Sequence, residues 1–190
     1  MTAAATTLST ETAVSTWNLD PAHTSVEFAA RHMMITTVRG RLPGLAGALA
    51  LDEAALGRSS VAVEFQAAAI DTRNEQRDQH LRSADFLDAE NHPTIRFRST
   101  RLEGTSLEAG AEFQLIGDLT LRGVTKEVEL DVTFEGRGQD PWGGERVSFS
   151  AAGTLDRRDF GLTWNAALET GGVLVGNEIK VRIEAQAVRA

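Results

Sequence analysis

At 190 residues and 20.5 kDa, with 42% hydrophobic and 24% charged side chains, the chain is long enough to bury one sizeable core. Its 27 acidic against 19 basic residues give a net charge of −8, which argues against a nucleic-acid binder and against docking on an anionic membrane by charge. The absence of cysteine excludes disulfides, thiolate nucleophiles, zinc ribbons and iron–sulfur sites.

Residues 1–16 are small and polar, without the basic start or the continuous apolar run of a secretory signal. A disordered tail is expected there, followed by a single domain over 17–190. No later stretch approaches the roughly 18 apolar residues of a membrane helix, so no membrane insertion and a cytoplasmic location are expected.

From Thr24 the chain alternates, with Val26, Phe28, Ala30 and His32 on one parity and Glu27 and Arg31 on the other. A period of two marks a half-buried strand. Val38 to Leu51 is glycine-rich and predicts one strongly curved or bulged strand. Val61, Val63 and Phe65 open the next alternation, followed by Ile95 and Phe97, then Phe113, Leu115, Gly117, Leu119 and Leu121. Val128, Leu130, Val132 and Phe134 oppose a row of acids, Val147, Phe149, Ala151 and Gly153 follow, and Ile179, Val181 and Ile183 lead the last strand. Only Arg73 to Arg82 reads as helix, with Thr72 and Glu75 in a capping-box spacing. A turn over Ser83–Leu87 is expected to return Phe86 to the body.

About eight amphipathic strands with one helical excursion must each hide an apolar face, and a sandwich or a closed up-and-down barrel does so. The inward set mixes Phe with Ala and Gly, which suits either an interdigitated solid core or a lined cavity.

Several motifs carry a resemblance. W-N-L-D-P-A-H-T-S-V-E-F (17–28), R-H-M (31–33), H-L-R-S-A-D-F-L-D (80–88) and G-D-L-T-L-R-G-V-T-K-E-V-E-L (117–130) come first. D-R-R-D-F-G-L (156–162) and V-G-N-E-I-K-V-R-I-E (175–184) complete the series. In this order, over roughly Trp17 to Val188, the chain resembles the YceI family of lipocalin-like, polyisoprenoid-binding bacterial proteins. The resemblance implies an all-β fold: an eight-stranded antiparallel barrel with one short helical insertion at about residues 73–87, holding a long apolar chain in an internal tunnel. It departs from the family pattern at Leu42-Pro43, where a Phe usually follows the glycine at Gly40. A homodimer is an expectation carried by the family alone.

A lipid site needs apolar walls and at most one polar anchor. The inward residues Phe28, Ala30, Val63, Phe65, Phe97, Leu115, Val132, Phe134 and Phe149 are the candidate walls, with Phe160 and Trp164 as candidate caps of one end. His32 shares parity with Phe28 and is the polar candidate, either contacting a head group or hydrogen-bonded in the core. The four histidines lack metal-ligand spacing, and no nucleophile elbow, phosphate loop or dinucleotide fingerprint occurs. Asp71 and Thr72 are expected to cap the helix, and the charges of Asp156-Arg157-Arg158-Asp159 to pair across a turn. The favoured reading is a non-enzymatic protein that sequesters or carries an isoprenoid, quinone-like or other amphiphilic lipid, that bound lipid being its ligand, with no cofactor and no metal. An enzyme acting on such a lipid through His32 and a stress-response interaction module with a filled core are the alternatives.

Overall fold

The computed structural model describes residues 14–190 except Thr105 and Thr170. Most of the expected tail lies outside the described residues, but its last two, Ser15 and Thr16, already belong to a strand. The strands are β1 (Ser15–Leu19), β2 (Ser25–His32), β3 (Thr36–Arg41), β4 (Ala46–Leu51) and β5 (Ser60–Gln66), then the helix α1 (Glu75–Arg82). They continue with β6 (Thr94–Glu103), β7 (Glu112–Leu121), β8 (Val124–Gln139), β9 (Glu145–Asp156) and β10 (Val175–Arg189).

All strands join one antiparallel sheet that closes on itself. β5 to β10 pair in chain order. One side of β10 is taken by two strands in tandem: β2 lies along Val175–Glu184 and β1 along Ala187–Arg189. In the same way β3 pairs with β2, while β4 pairs with β1 and β5. Ten strands therefore fill the eight positions of a barrel, and closure leaves no long free edge to template aggregation.

The single curved strand expected over Val38–Leu51 is two strands. Pro43 has no N–H to offer a ladder, and Gly44 sits at φ 77°, so the chain turns between them. Beyond β3 the wall is continued by the segment 67–93 rather than by a strand, joined through a bridge between Arg41 and Asp71. β1 escapes the alternation because it offers only Trp17 and Leu19 as inward markers.

The helix is capped by Asn74, whose side chain accepts from the Arg77 N–H at 3.0 Å, and not by Asp71 or Thr72. Thr72 instead takes part in a buried network. It donates its hydroxyl to Asp78 at 2.5 Å and accepts from Arg77 Nε at 2.7 Å, while its carbonyl accepts from Arg77 Nη2. α1 has almost no apolar face of its own, so it is held by these polar bonds and by the turn after it. That turn buries Phe86, as the sequence predicts, and Leu87 with it.

Two apolar clusters mark the ends. One gathers Trp17, Phe134, Val147 and Ala187, each at most 2% exposed, around Leu49, Phe113 and Leu130. The other gathers Phe65, Ala67, Ile70, Phe86, Ile95, Phe160 and Leu162 beneath α1. Each fully buried large apolar side chain contributes about 1.5–3 kcal/mol, so the two clusters anchor the barrel. At the first end Arg146 donates to Asp20 (2.7 Å), Asp140 (2.9 Å) and the Gln186 side chain (3.0 Å), tying three connections together.

A candidate lipid cavity with a polar mouth

Between the clusters runs a cavity of about 900 Å³, lined by one parity of every long strand. This is toward the upper end of the roughly 300–1,000 Å³ that ligand pockets occupy. Many of its lining side chains, among them Val26, Phe28, Leu115, Phe149, Val181 and Ile183, are only half-buried although they point inward. The filled-core alternative is thereby corrected.

The small inward residues do both things that their size allows. A Cβ on Gly117 would lie 2.5 Å from the Phe97 ring, and one on Gly153 would lie 2.6 Å from Leu130. Those glycines let neighbouring large side chains lie flat against the wall, which is interdigitation. Ala30, Ala151 and Ala185 also line the cavity, and their small side chains take little of its space.

Of the candidate wall residues, Phe28, Ala30, Val63, Phe65, Phe97, Leu115, Val132 and Phe149 line the cavity, as do Phe160 and Trp164. Phe134 does not. It shares the inward parity of Leu130 and Val132, but at 1% exposure it is packed into the closed end, tilted against Phe149 at 5.2 Å between ring centres. Leu42 lines the cavity as well.

Polar lining gathers at the α1 end. His32, at the end of β2, pairs in register with Val175 and has no side-chain hydrogen bond among the described residues, so the expected core imidazole with a neighbouring partner is not what forms. From α1 come Asn74, Gln76, Arg77 and His80. His80 stands edge-on between Phe86 and Trp164, 5.0 and 4.6 Å from their ring centres, and shares a 2.9 Å hydrogen bond with Asp85.

The residue that sequence reasoning missed is Arg157. Only 4% exposed, it lines the cavity and donates from Nη1 to the carbonyls of Leu162 (2.6 Å) and Trp164 (2.8 Å). Its Nε and Nη2 donate to the carbonyls of Gly176 and Val175. Burial lowers its pKa from the ordinary value, yet arginine remains a cation in proteins. The expected pairing across the Asp156–Asp159 turn is therefore half right. Arg158 binds Asp156 and holds its carboxyl down to about 2, whereas Arg157 turns inward onto carbonyls alone. The run's repeated charges concealed this, and its one signal was position, directly after an inward-facing strand end.

The lining thus contains three arginines (Arg31, Arg77, Arg157) and two histidines but no Asp or Glu among the described residues, in a protein of net charge −8. The remaining histidines are elsewhere: His23 bonds Asp20 at 2.8 Å and His92 packs against Gly123. Among the described residues no three His, Asp or Glu side chains gather in a metal-binding group.

A model of the YceI-like domain matches residues 17–187. The chain belongs to the YceI family. A UPF0312 protein of Vibrio cholerae is 37% identical over 141 residues, covering 74% of this chain and 73% of its own. Among solved structures, Burkholderia cenocepacia BcnA superposes with a TM-score of 0.74 at 19% identity, covering 88% of this chain and 98% of that one. A polyisoprenoid binding domain from Saccharophagus degradans superposes with a TM-score of 0.65 at 13% identity, covering 92% of this chain and 98% of that one. These YceI-like likenesses share the barrel described above. No helix among the described residues is long and apolar enough to cross a membrane.

Proposed function

We propose that this YceI protein binds a long-chain amphiphile, an isoprenoid or quinone-like lipid, and sequesters or carries it without chemical change. The observation that carries the reading is the apolar cavity of about 900 Å³ ending in a polar mouth. Left dry, such a space would cost about 20 kcal/mol at roughly 24 cal/mol per Å³, more than the 5–15 kcal/mol that stabilises a typical domain. Water would find few partners along those walls, whereas each buried CH2 of a lipid tail contributes about 0.8 kcal/mol. The tail would lie between Phe28, Leu115 and Phe149, and the head group would reach His32 and Arg157. Family membership supports the reading, as does the fold shared with a structure described as a polyisoprenoid binding domain.

Protein purified without detergent should release a stoichiometric apolar chain on denaturation, read by native and denaturing mass spectrometry. Ala151→Trp, which fills the mid-cavity, should abolish that mass while the protein stays folded. An apo mass that does not change when polyprenyl lipids or quinones are added overturns the proposal. His32→Ala should leave uptake of the chain within a few-fold of wild type, and the lipid should be recovered chemically unaltered.

A further inference from the structure

The β2–β3 hairpin exposes an apolar tip that the cavity does not require. Met33, Met34 and Ile35 are 40%, 54% and 72% exposed, and Val173, next to the Leu174 whose carbonyl accepts from the Met33 N–H, is 36% exposed. Four of the six exposed large apolar side chains among the described residues thus gather at one point, the other two being Val14 and Trp142. The turn is tight, closed by a 3.1 Å bond from the Ile35 N–H to the His32 carbonyl. Met33 and Met34 both sit in the left-handed region, at φ 51° and 62°, in a turn where Asn-Gly is the favoured filling. Methionine there is worse for the turn and worse for solubility, so it answers to something outside the folded chain.

The surrounding charge indicates what. From Phe28 to Leu51 the sequence holds three arginines and not one Asp or Glu. Arg41 is paired with Asp71, but Arg31 spends its donors on the Met34 carbonyl (2.5 Å) and Thr37 (3.3 Å), and Arg39 has no carboxylate partner among the described residues. An apolar tip collared by uncompensated arginines matches the headgroup and acyl layers of a bilayer containing anionic lipid. The same tip rims the cavity, because Arg31, His32, Leu174 and Val175 all line its mouth.

We propose that the β2–β3 hairpin inserts its Met33-Met34-Ile35 tip into the surface of an anionic bilayer and presents the cavity mouth to the membrane. The inference rests on the lipid-binding reading for its purpose. The net charge of −8 does not oppose it; carried by the rest of the barrel, it keeps the other faces away and forces a tip-first approach.

Because the chain has no cysteine, Ile35→Cys can carry a single environment-sensitive fluorophore. Adding vesicles of phosphatidylcholine with phosphatidylglycerol should shift its emission to the blue, more weakly with phosphatidylcholine alone or at high salt. The same label on Trp142→Cys, at the opposite end of the barrel, should not respond. Met33→Asn/Met34→Gly/Ile35→Ser supplies the turn its preferred residues, so it should fold at least as well as wild type while losing at least tenfold in vesicle co-sedimentation. No blue shift on either vesicle from a protein that still yields bound lipid overturns membrane docking and leaves the lipid-binding reading intact. A shift that needs only higher protein concentration, without vesicles, overturns docking in favour of self-association. A tip-specific shift in a protein that takes up no lipid supports docking and overturns the lipid-binding reading instead.

Discussion

The two ends of this barrel are built from the same alternating strands, yet they are finished by different chemistry. At the β8–β9 hairpin end, large apolar side chains meet across the axis, and the outer charges of Asp20, Asp140 and Arg146 pair with one another. At the α1 end, aromatic packing is interrupted by Arg157, whose cation is held by backbone carbonyls, and by His32, whose side chain has no hydrogen-bond partner among the described residues. The first end satisfies itself in apolar contact and ion pairs. At the second, Arg157 satisfies its hydrogen bonds but not its charge, and the His32 ring satisfies neither, so that end can receive a polar or anionic group.

The sharpest way to break this contrast is by truncating a ring at each end. Phe134→Ala should cost about 3–5 kcal/mol in denaturant unfolding, as for a close-packed core aromatic. Removing the guanidinium with Arg157→Met leaves the carbonyls of Leu162, Trp164 and Gly176 without this donor, while Val175 keeps Asn165, and should cost about 3 kcal/mol. Arg157→Lys should recover only part of that, since an ammonium cannot reproduce the planar fork. Phe28→Ala should cost less, about 1–2 kcal/mol, because one face of that ring borders the cavity and is not packed. If Phe28→Ala matched Phe134→Ala, the interior would be uniformly solid and the contrast would fail. Asp20→Asn is the smallest expected effect. Arg146, and then His23, hold the Asp20 carboxyl at about 2 instead of 3.8, so its contribution is complete above pH 4 and is lost as pH falls toward 2. The variant should lose that contribution at pH 7 and flatten the acid limb of the unfolding curve, so that it and wild type converge as pH falls toward 2.

The strands were legible because a two-residue period with polar or charged side chains on one face has a single physical reading, and β6 to β10 follow it over ten or more residues each. The splitting of Val38–Leu51 was not, because its glycines announce a bend without saying whether pairing resumes with the same neighbour. Phe134 shows the same limit within the site. Parity placed it inward correctly, but whether an inward ring touches a cavity or a plug depends on its height along the axis, which parity does not encode. Arg157 was hidden more deeply, since only the turn after β9 decides which arginine of a consecutive pair faces in. The motif resemblance supplied the closure of the sheet, on which periodicity alone is silent.

Closure itself has a consequence for how the molecule is made. The seam is formed where β1 and β2 meet β10, with Trp17 opposite Arg189 and Phe28 opposite Val181, so the first two strands must wait, unpaired on that side, until the last has been synthesised. The intervening strands can zip neighbour to neighbour, but the nascent cylinder stays an open sheet with its oily face uncovered until β10 joins. Pairings that span the full chain are the slow ones. A chaperone would therefore meet this protein as a half-rolled sheet, and a lesion in either seam strand should show first as poor yield from the ribosome and only second as lowered stability of the finished barrel.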